Sequence, residues 1–267
     1  MNIHSRALVD SRAVIGEGCV IGPDAIIDGD VVLGPDCIIA PRAYITGRTT
    51  LGARVRVGMG AIIGGEPQDL AYKGAASMTE VGDDTVFREY TTVHRGTKEG
   101  TVTRIGKKCY FMTGAHVGHN SQVADEVIMA NNTALGGYVE VGTRVFFGGA
   151  SVVHQNCRIG AYSMIRGMGA MSMDVPPYCM TTLINTLSGL NIVGLKRAGF
   201  DETRRRRILR AVRIFFRSGL NRTQAVQVIR ADESLRHVDV ELLLTFAETT
   251  KRGLCTWRKL PIEADPE

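Results

Sequence analysis

From Ile3 onward an aliphatic residue recurs at every sixth position: Ile3, Val9, Ile15, Ile21, Ile27, Leu33, Ile39, Ile45, Leu51, Val57 and Ile63. Four residues after each of the first ten stands a small or β-branched side chain: Ala7, Ala13, Cys19, Ala25, Val31, Cys37, Ala43, Thr49, Val55 and Ala61. The period resumes at Val81, Phe87 and Val93, and again from Ile105 without a break to Met171. A fixed six-residue repeat is the signature of a parallel β-helix. Each hexad supplies one short strand and three hexads make one triangular coil, with coils stacked about 4.8 Å apart through backbone hydrogen bonds. The pattern therefore predicts an all-β hexapeptide prism over 1–185, which loops leave at 64–80 and 98–104. Pro176–Pro177 should end the ladder, because proline cannot donate to it.

Beyond the prism the apolar period lengthens. Ile208, Leu209, Val212 and Phe216 follow a 3.6-residue spacing behind Asp201, a good N-cap. Weaker helical patterns over 187–198, 222–231 and 237–251 predict a small α-helical domain at 186–267.

Composition sharpens this picture. The chain has 267 residues, 31 of them Gly, with only 8 Phe, 7 Tyr and 1 Trp, as a narrow prism with no room for stacked rings requires. The formal charge of +5 is uneven. Residues 186–267 hold 16 Lys and Arg against 10 Asp and Glu, whereas residues 1–185 hold 16 against 17. A basic helical domain suits an acidic partner or an anionic ligand, and no nucleic acid is expected. No run of 18 apolar residues occurs, so no membrane insertion is expected. The N-terminus has no signal-peptide pattern, so a cytoplasmic location is expected. Six cysteines lie at 19, 37, 109, 157, 179 and 255 with no C-x-x-C pair. Four of them (19, 37, 109 and 157) occupy the small position of a hexad, which points to core packing rather than catalysis.

The period also tells which side chains share a face. Hexads beginning at 63, 93, 117, 135, 153 and 171 fall on one face, and both loops leave from it. Its second position carries Gly64, His94, Gly118, Gly136, His154 and Ser172. Its third carries Gly65, Arg95, His119, Gly137, Gln155 and Met173. His116 ends the preceding stretch, and the loop bearing Asp69 starts one coil before His94. A repeat scaffold needs no histidine for stability, so this clustering points to a site. An imidazole titrating near neutrality suits general-base catalysis. Gly118 and Gly136 would leave space beside His119 for a substrate, and Gly137 could offer an unobstructed backbone N–H to an oxyanion. No Ser or Cys stands beside His119 as a nucleophile, which favours direct attack by a bound acceptor over an acyl-enzyme. Three histidines could instead hold zinc, and the spacing of His116 and His119 leaves that open.

The strings Gly64–Leu70 (GGEPQDL), Thr92–Thr97 (TVHRGT), Ala115–His119 (AHVGH), Val153–Gln155 (VHQ), Asp174–Tyr178 (DVPPY) and Asn191–Arg197 (NIVGLKR) resemble the UDP-N-acetylglucosamine O-acyltransferases of lipid A biosynthesis. The resemblance covers the chain from the first hexad to at least Phe200. It implies a left-handed β-helix, a homotrimer with sites between subunits, and no cofactor or metal. It implies transfer of an R-3-hydroxyacyl group from acyl carrier protein to the 3-hydroxyl of UDP-N-acetylglucosamine. By matching motifs, His119 takes the role of general base, Gly137 that of oxyanion donor, and Asp69 with neighbouring Gln68 that of sugar holder. His94, His116, His154 and Gln155 would line the site, Asn191 and Arg197 would contact the nucleotide, and Gly167 with Met164 and Met168 would shape the acyl-chain groove. Asn120 stands where the family usually has Asp, which predicts a weaker base, and Tyr138 stands where His is common. Val193 and Ala198 also depart from the family pattern. The alternatives are a zinc hydratase of the γ-carbonic-anhydrase type, a paralogue acylating a UDP-3-amino sugar, and a paralogue that only binds ligand.

Overall fold

The computed structural model describes residues 1–257, and the last ten residues of the C-terminal region lie outside the described residues. Residues 2–171 form the hexapeptide prism. Two-residue strands succeed one another around three parallel sheets, so each strand pairs with the strand three hexads later. The first sheet has twelve strands beginning with Asn2–Ile3, the second nine beginning with Leu8–Val9, and the third eight beginning with Val14–Ile15. Partners lie 18 residues apart in uninterrupted stretches, as in His116↔Ala134 and Val117↔Leu135. Each strand turns one side chain inward and one outward. Val117, Leu135 and Val153 are fully or almost fully buried, as are the small residues Cys19, Cys37, Cys109 and Cys157. Burial pushes the Cys37, Cys109 and Cys157 thiols up to about 11, so they are inert core residues at neutral pH.

The expected face is the second sheet, which holds strands Ile62–Gly65, Thr92–His94, His116–Val117, Ala134–Leu135, Val152–Val153 and Ala170–Met171. Both loops leave from it, across 66–77 and 95–101. One register differs from the periodic expectation. His94 pairs with Gly65, not Gly64, across a bulge. Gly64 adopts φ +81°, and a Cβ there would meet Thr49 Oγ1 and the Thr46 carbonyl. The bulge turns the chain out of the prism at the point where the Asp69 loop begins.

Pro176–Pro177 do not end the ladder. Strand Cys179–Thr181 still stacks on Met164–Ile165, and Ser163 Oγ hydrogen-bonds the Pro176 carbonyl. The helix expected from 187 is also shorter than its pattern, because Thr186–Leu190 is a strand paired antiparallel with Cys179–Thr181. Four helices follow. α1 is Ile192–Arg197, α2 Glu202–Arg217, α3 Arg222–Ala231 and α4 Val238–Glu248. Asp201 caps α2 as expected, and Asn221 with Gln224 forms a capping box on α3. α2 buries Ile208, Ala211, Val212 and Phe215, with Leu209 and Phe216 packed at the edge of that core. The chain then returns to the prism. Strand Thr256–Trp257 pairs with Thr186–Leu190, and buried Asp174 accepts hydrogen bonds from the Arg158 amide (2.8 Å) and Thr250 Oγ1 (2.6 Å).

Candidate active site

The histidine face is organised around His119, in the turn after His116–Val117. Its side chain is only 11% exposed. Nδ1 lies 3.0 Å from Asn120 Oδ1, and Nε2 lies 3.9 Å from Asp69 Oδ2. The second distance is too long for a hydrogen bond. Imidazole nitrogen and carboxylate therefore face a shared space without closing it. The ring also rests on Gly137. A Cβ added there would lie 2.3 Å from His119 Cε1 and 2.5 Å from Nε2, so only glycine fits. Among the described residues the Gly137 N–H has no hydrogen-bond acceptor.

Gly118 and Gly136 do a different job from the one expected. A Cβ on Gly118 would meet the Gly136 carbonyl carbon at 2.7 Å, and one on Gly136 would meet the Gln155 nitrogen at 2.7 Å. The next coil's backbone fills that space, so these glycines permit coil stacking rather than substrate entry.

His94 and His116 stack edge to face with ring centroids 4.8 Å apart, and His116 Nδ1 lies 2.8 Å from Thr92 Oγ1. Burial, with His116 beside it, lowers His94 to about 4. Burial likewise lowers His116, with a smaller contribution from His119. Both are neutral at pH 7 and can donate or accept one hydrogen bond each without carrying charge. His154 and Gln155 are exposed two coils further on, with His154 Nδ1 3.1 Å from the Gln155 carbonyl. Asp69 shapes its own loop, because Oδ1 accepts the Ala71 N–H at 2.9 Å. Gln68 is exposed beside it.

The remaining expected residues are not brought to this cluster within one chain. Asn191 is 5% exposed and acts as the N-cap of α1. Its Oδ1 accepts the Gly194 N–H at 3.0 Å, and its Nδ2 donates to the Tyr162 carbonyl at 2.9 Å. Arg197 is exposed in the last turn of α1. Met164 lies on the first sheet, and Gly167 and Met168 form the corner between the first and second sheets. His119 occupies the corner between the second and third.

Three further side chains complete the arrangement. Arg95 is clamped in the base of the Asp69 loop: it donates to the Gly64 carbonyl (2.9 Å), to Tyr72 Oη (3.1 Å) and to Glu66 (3.0 Å). Thr97 donates to Asn120 Oδ1 through both its amide (3.0 Å) and its hydroxyl (2.9 Å). Tyr138 reaches Thr97 Oγ1 at 2.9 Å, and its ring packs edge-on against His119 at 5.3 Å. The signal for Arg95 was present, since it neighbours His94 in the face pattern. Thr97 lies in a loop, where no period applies.

Residues 174–255 match the family model described as UDP-N-acetylglucosamine O-acyltransferase, domain 2, and residues 12–47 match the bacterial transferase hexapeptide model. An acyl-[acyl-carrier-protein]–UDP-N-acetylglucosamine O-acyltransferase of Anaeromyxobacter sp. is 43% identical over 95% of this chain and 99% of its own. One from Syntrophobacter fumaroxidans is 44% identical with the same coverage of each chain. This chain belongs to the UDP-N-acetylglucosamine O-acyltransferase family. It is an acyltransferase. The solved UDP-N-acetylglucosamine O-acyltransferase of Moraxella catarrhalis superposes with a TM-score of 0.90 at 33% identity, covering 96% of this chain and 100% of that one. LpxA from Acinetobacter baumannii gives 0.91 at 33% identity, covering 95% and 99%. The likeness to these acyltransferases therefore includes the helical domain as well as the prism. Membership does not favour the hydratase alternative. Among the described residues, moreover, no three His, Cys, Asp or Glu side chains converge as a metal site would need.

Proposed function

We propose that this chain transfers an R-3-hydroxyacyl group from acyl carrier protein to the 3-hydroxyl of UDP-N-acetylglucosamine, the first step of lipid A biosynthesis. One juxtaposition carries the reading at the level of residues: His119 Nε2 faces Asp69 across 3.9 Å, and Gly137, whose N–H is unpaired among the described residues, packs against the same ring. Asp69 orients the sugar by accepting from a neighbouring sugar hydroxyl, and the attacking hydroxyl gives its own proton to Nε2. The hydroxyl oxygen attacks the thioester carbonyl, and the Gly137 N–H stabilises the oxyanion. Collapse breaks the carbon–sulfur bond, and the imidazolium returns its proton to the departing carrier thiolate. His94 and His116, held neutral, line the site with His154, Gln155 and Gln68. Asn191 and Arg197 serve the nucleotide side, with Asn191 acting through the cap it provides to α1. Gly167, Met164 and Met168 shape the groove for the acyl chain.

Two features support a homotrimer. The groove residues and His119 occupy different corners of one prism, so a neighbouring copy must bring them together. The outward positions of the first two sheets are largely apolar: Val20, Ile38 and Ile128 on the first, Leu8, Ile26, Ile62 and Val152 on the second. On the third sheet the outward positions from Glu80 onward become Arg104, Gln122, Glu140 and Arg158, with ion pairs between them. For the acidic carrier protein, the helical domain offers Arg213 and Arg217, which have no ion-pair partner among the described residues. Arg204, Arg206 and Arg210 are paired with Asp239, Glu202 and Asp232. No helix among the described residues is long and apolar enough to cross a membrane, and a cytoplasmic location fits a carrier-protein donor.

Incubation of the purified protein with UDP-N-acetylglucosamine and 3-hydroxyacyl-carrier protein tests the reading. Turnover is expected, and His119→Ala should lower it by about 10²–10⁴, the usual general-base contribution. Undiminished turnover in His119→Ala excludes His119 as the base.

A further inference from the structure

The proton arrangement around His119 follows from one backbone group. The Thr97 N–H can only donate, so the Asn120 atom 3.0 Å from it must be the amide oxygen. That same oxygen faces His119 Nδ1 at 3.0 Å, so Nδ1 must carry the proton and Nε2 the free lone pair. The Thr97 hydroxyl also lies 2.9 Å from this oxygen and donates to it. Its remaining lone pairs then accept the Tyr138 phenol at 2.9 Å. Donors thus run from Tyr138 to Thr97 to Asn120, and from His119 to Asn120, whose amide oxygen is shared by three donors. Asn120 and Thr97 are both under 10% exposed, so water does not compete strongly for these bonds. Asn120 is also fixed by its backbone, with φ +62° and its amide donating to Thr103 Oγ1 at 2.7 Å.

We propose that Thr97 and Tyr138 are positioning residues which, through Asn120, hold His119 as the Nδ1–H tautomer by an uncharged network. This network lets the base work at lower pH than a carboxylate at position 120 would allow. The proposal deepens the general-base reading and rests on it. A carboxylate at position 120 would stabilise the imidazolium and keep the base protonated to higher pH. An amide oxygen orients the ring without that charge. The other titratable groups facing His119 among the described residues are Asp69 across the open space, His94 and His116 on the same face, and the Tyr138 phenol.

The experiment is the pH profile of kcat/KM for the full chain and four variants, with His119→Ala as the control for the base. Asn120→Asp should move the acidic limb upward by about one pH unit. Thr97→Val and Tyr138→Phe should lower kcat about tenfold with KM for the sugar nucleotide nearly unchanged, and Thr97→Ser should keep the rate. Imidazole ¹⁵N shifts of the unmodified protein should show a protonated Nδ1 and a bare Nε2 above neutrality, a readout that needs no variant to fold. The opposite tautomer overturns the proposal. So does an acidic limb that stays in place in Asn120→Asp while His119→Ala abolishes turnover. In that last case the base itself stands and only the network falls.

Discussion

At the scale of single residues, the site depends on close contacts. Gly137 is the sharpest case. A methyl group there would overlap the His119 ring at 2.3 Å, against an imidazole pinned by Asn120. Gly137→Ala should therefore push the base out of line and reduce kcat about 100-fold or more, because misplacement by about 1 Å costs that much. The turn itself should survive, since the overlap is with a side chain. A steady-state assay alongside a melting curve checks both halves, and a fully active variant would mean that the ring does not sit against Gly137. His94 makes a second prediction, about stability. Its value is 6.5 in an unfolded chain and about 4 when folded, chiefly through burial. Between these pH values the unfolded chain binds a proton that the folded chain does not. The contribution of a neutral His94 is therefore fully present above about pH 6.5 and is lost as pH falls toward 4, by on the order of 3 kcal/mol at most. Melting temperature should drop between pH 7 and pH 4.5, and the drop should be shallower in His94→Gln. Identical slopes would remove His94 as the cause.

At the scale of elements, the six-residue period carried the interpretation a long way. Strand positions, the shared face, the departure of both loops from one sheet and the core role of Cys19, Cys37, Cys109 and Cys157 follow from it, because the period is a direct record of inward and outward alternation. The divergences have physical causes. The period could not show that His94 pairs with Gly65, because the bulge at Gly64 inserts a residue without changing the spacing of aliphatic positions. Apolar residues over 187–198 look helical, yet Leu187 and Leu190 are buried as part of a strand, since a short apolar run serves either element. Thr97 was not singled out because it acts from the loop, and Tyr138 was noted only as a departure from the family pattern, because a tyrosine at a turn with φ +59° gives no periodic signal. The loop bearing Asp69 makes a prediction at this scale. Arg95, with a side chain 14% exposed, joins Gly64, Glu66 and Tyr72 at the loop's base. Arg95→Ala removes a charge-assisted bond and leaves the buried Gly64 carbonyl without this partner. KM for the sugar nucleotide should rise about tenfold while kcat changes less, because Asp69 is less well held and His119 is untouched. Faster proteolytic cleavage at Lys73 should accompany it, and an unchanged KM would show that the loop is held by other contacts.

At the scale of the whole molecule, one prism cannot complete the proposed site. The acyl-groove corner with Gly167 and Met168 and the catalytic corner with His119 and Gly137 are separate edges of the same triangle. Three identical prisms packed around an axis bring one kind of edge against the other, and closed cyclic symmetry makes every such contact equivalent. The outward side chains fit that arrangement, with aliphatic positions on the first two sheets and ion pairs on the later coils of the third. Because outward residues contribute nothing to the prism's own core, charge can be placed on each face without unfolding it. Ile128→Asp on the first sheet and Val152→Asp on the second should dissociate the proposed trimer, seen as a fall to monomer mass in sedimentation equilibrium. Each should lose turnover while keeping the β-rich circular dichroism of the native chain. Thr50→Asp, also exposed but on the third sheet, should leave both mass and turnover unchanged. If Ile128→Asp or Val152→Asp gave an active monomer, the site would have to be assembled within one chain. The separation of Gly167 from His119 would then exclude the Gly167 corner as the acyl groove.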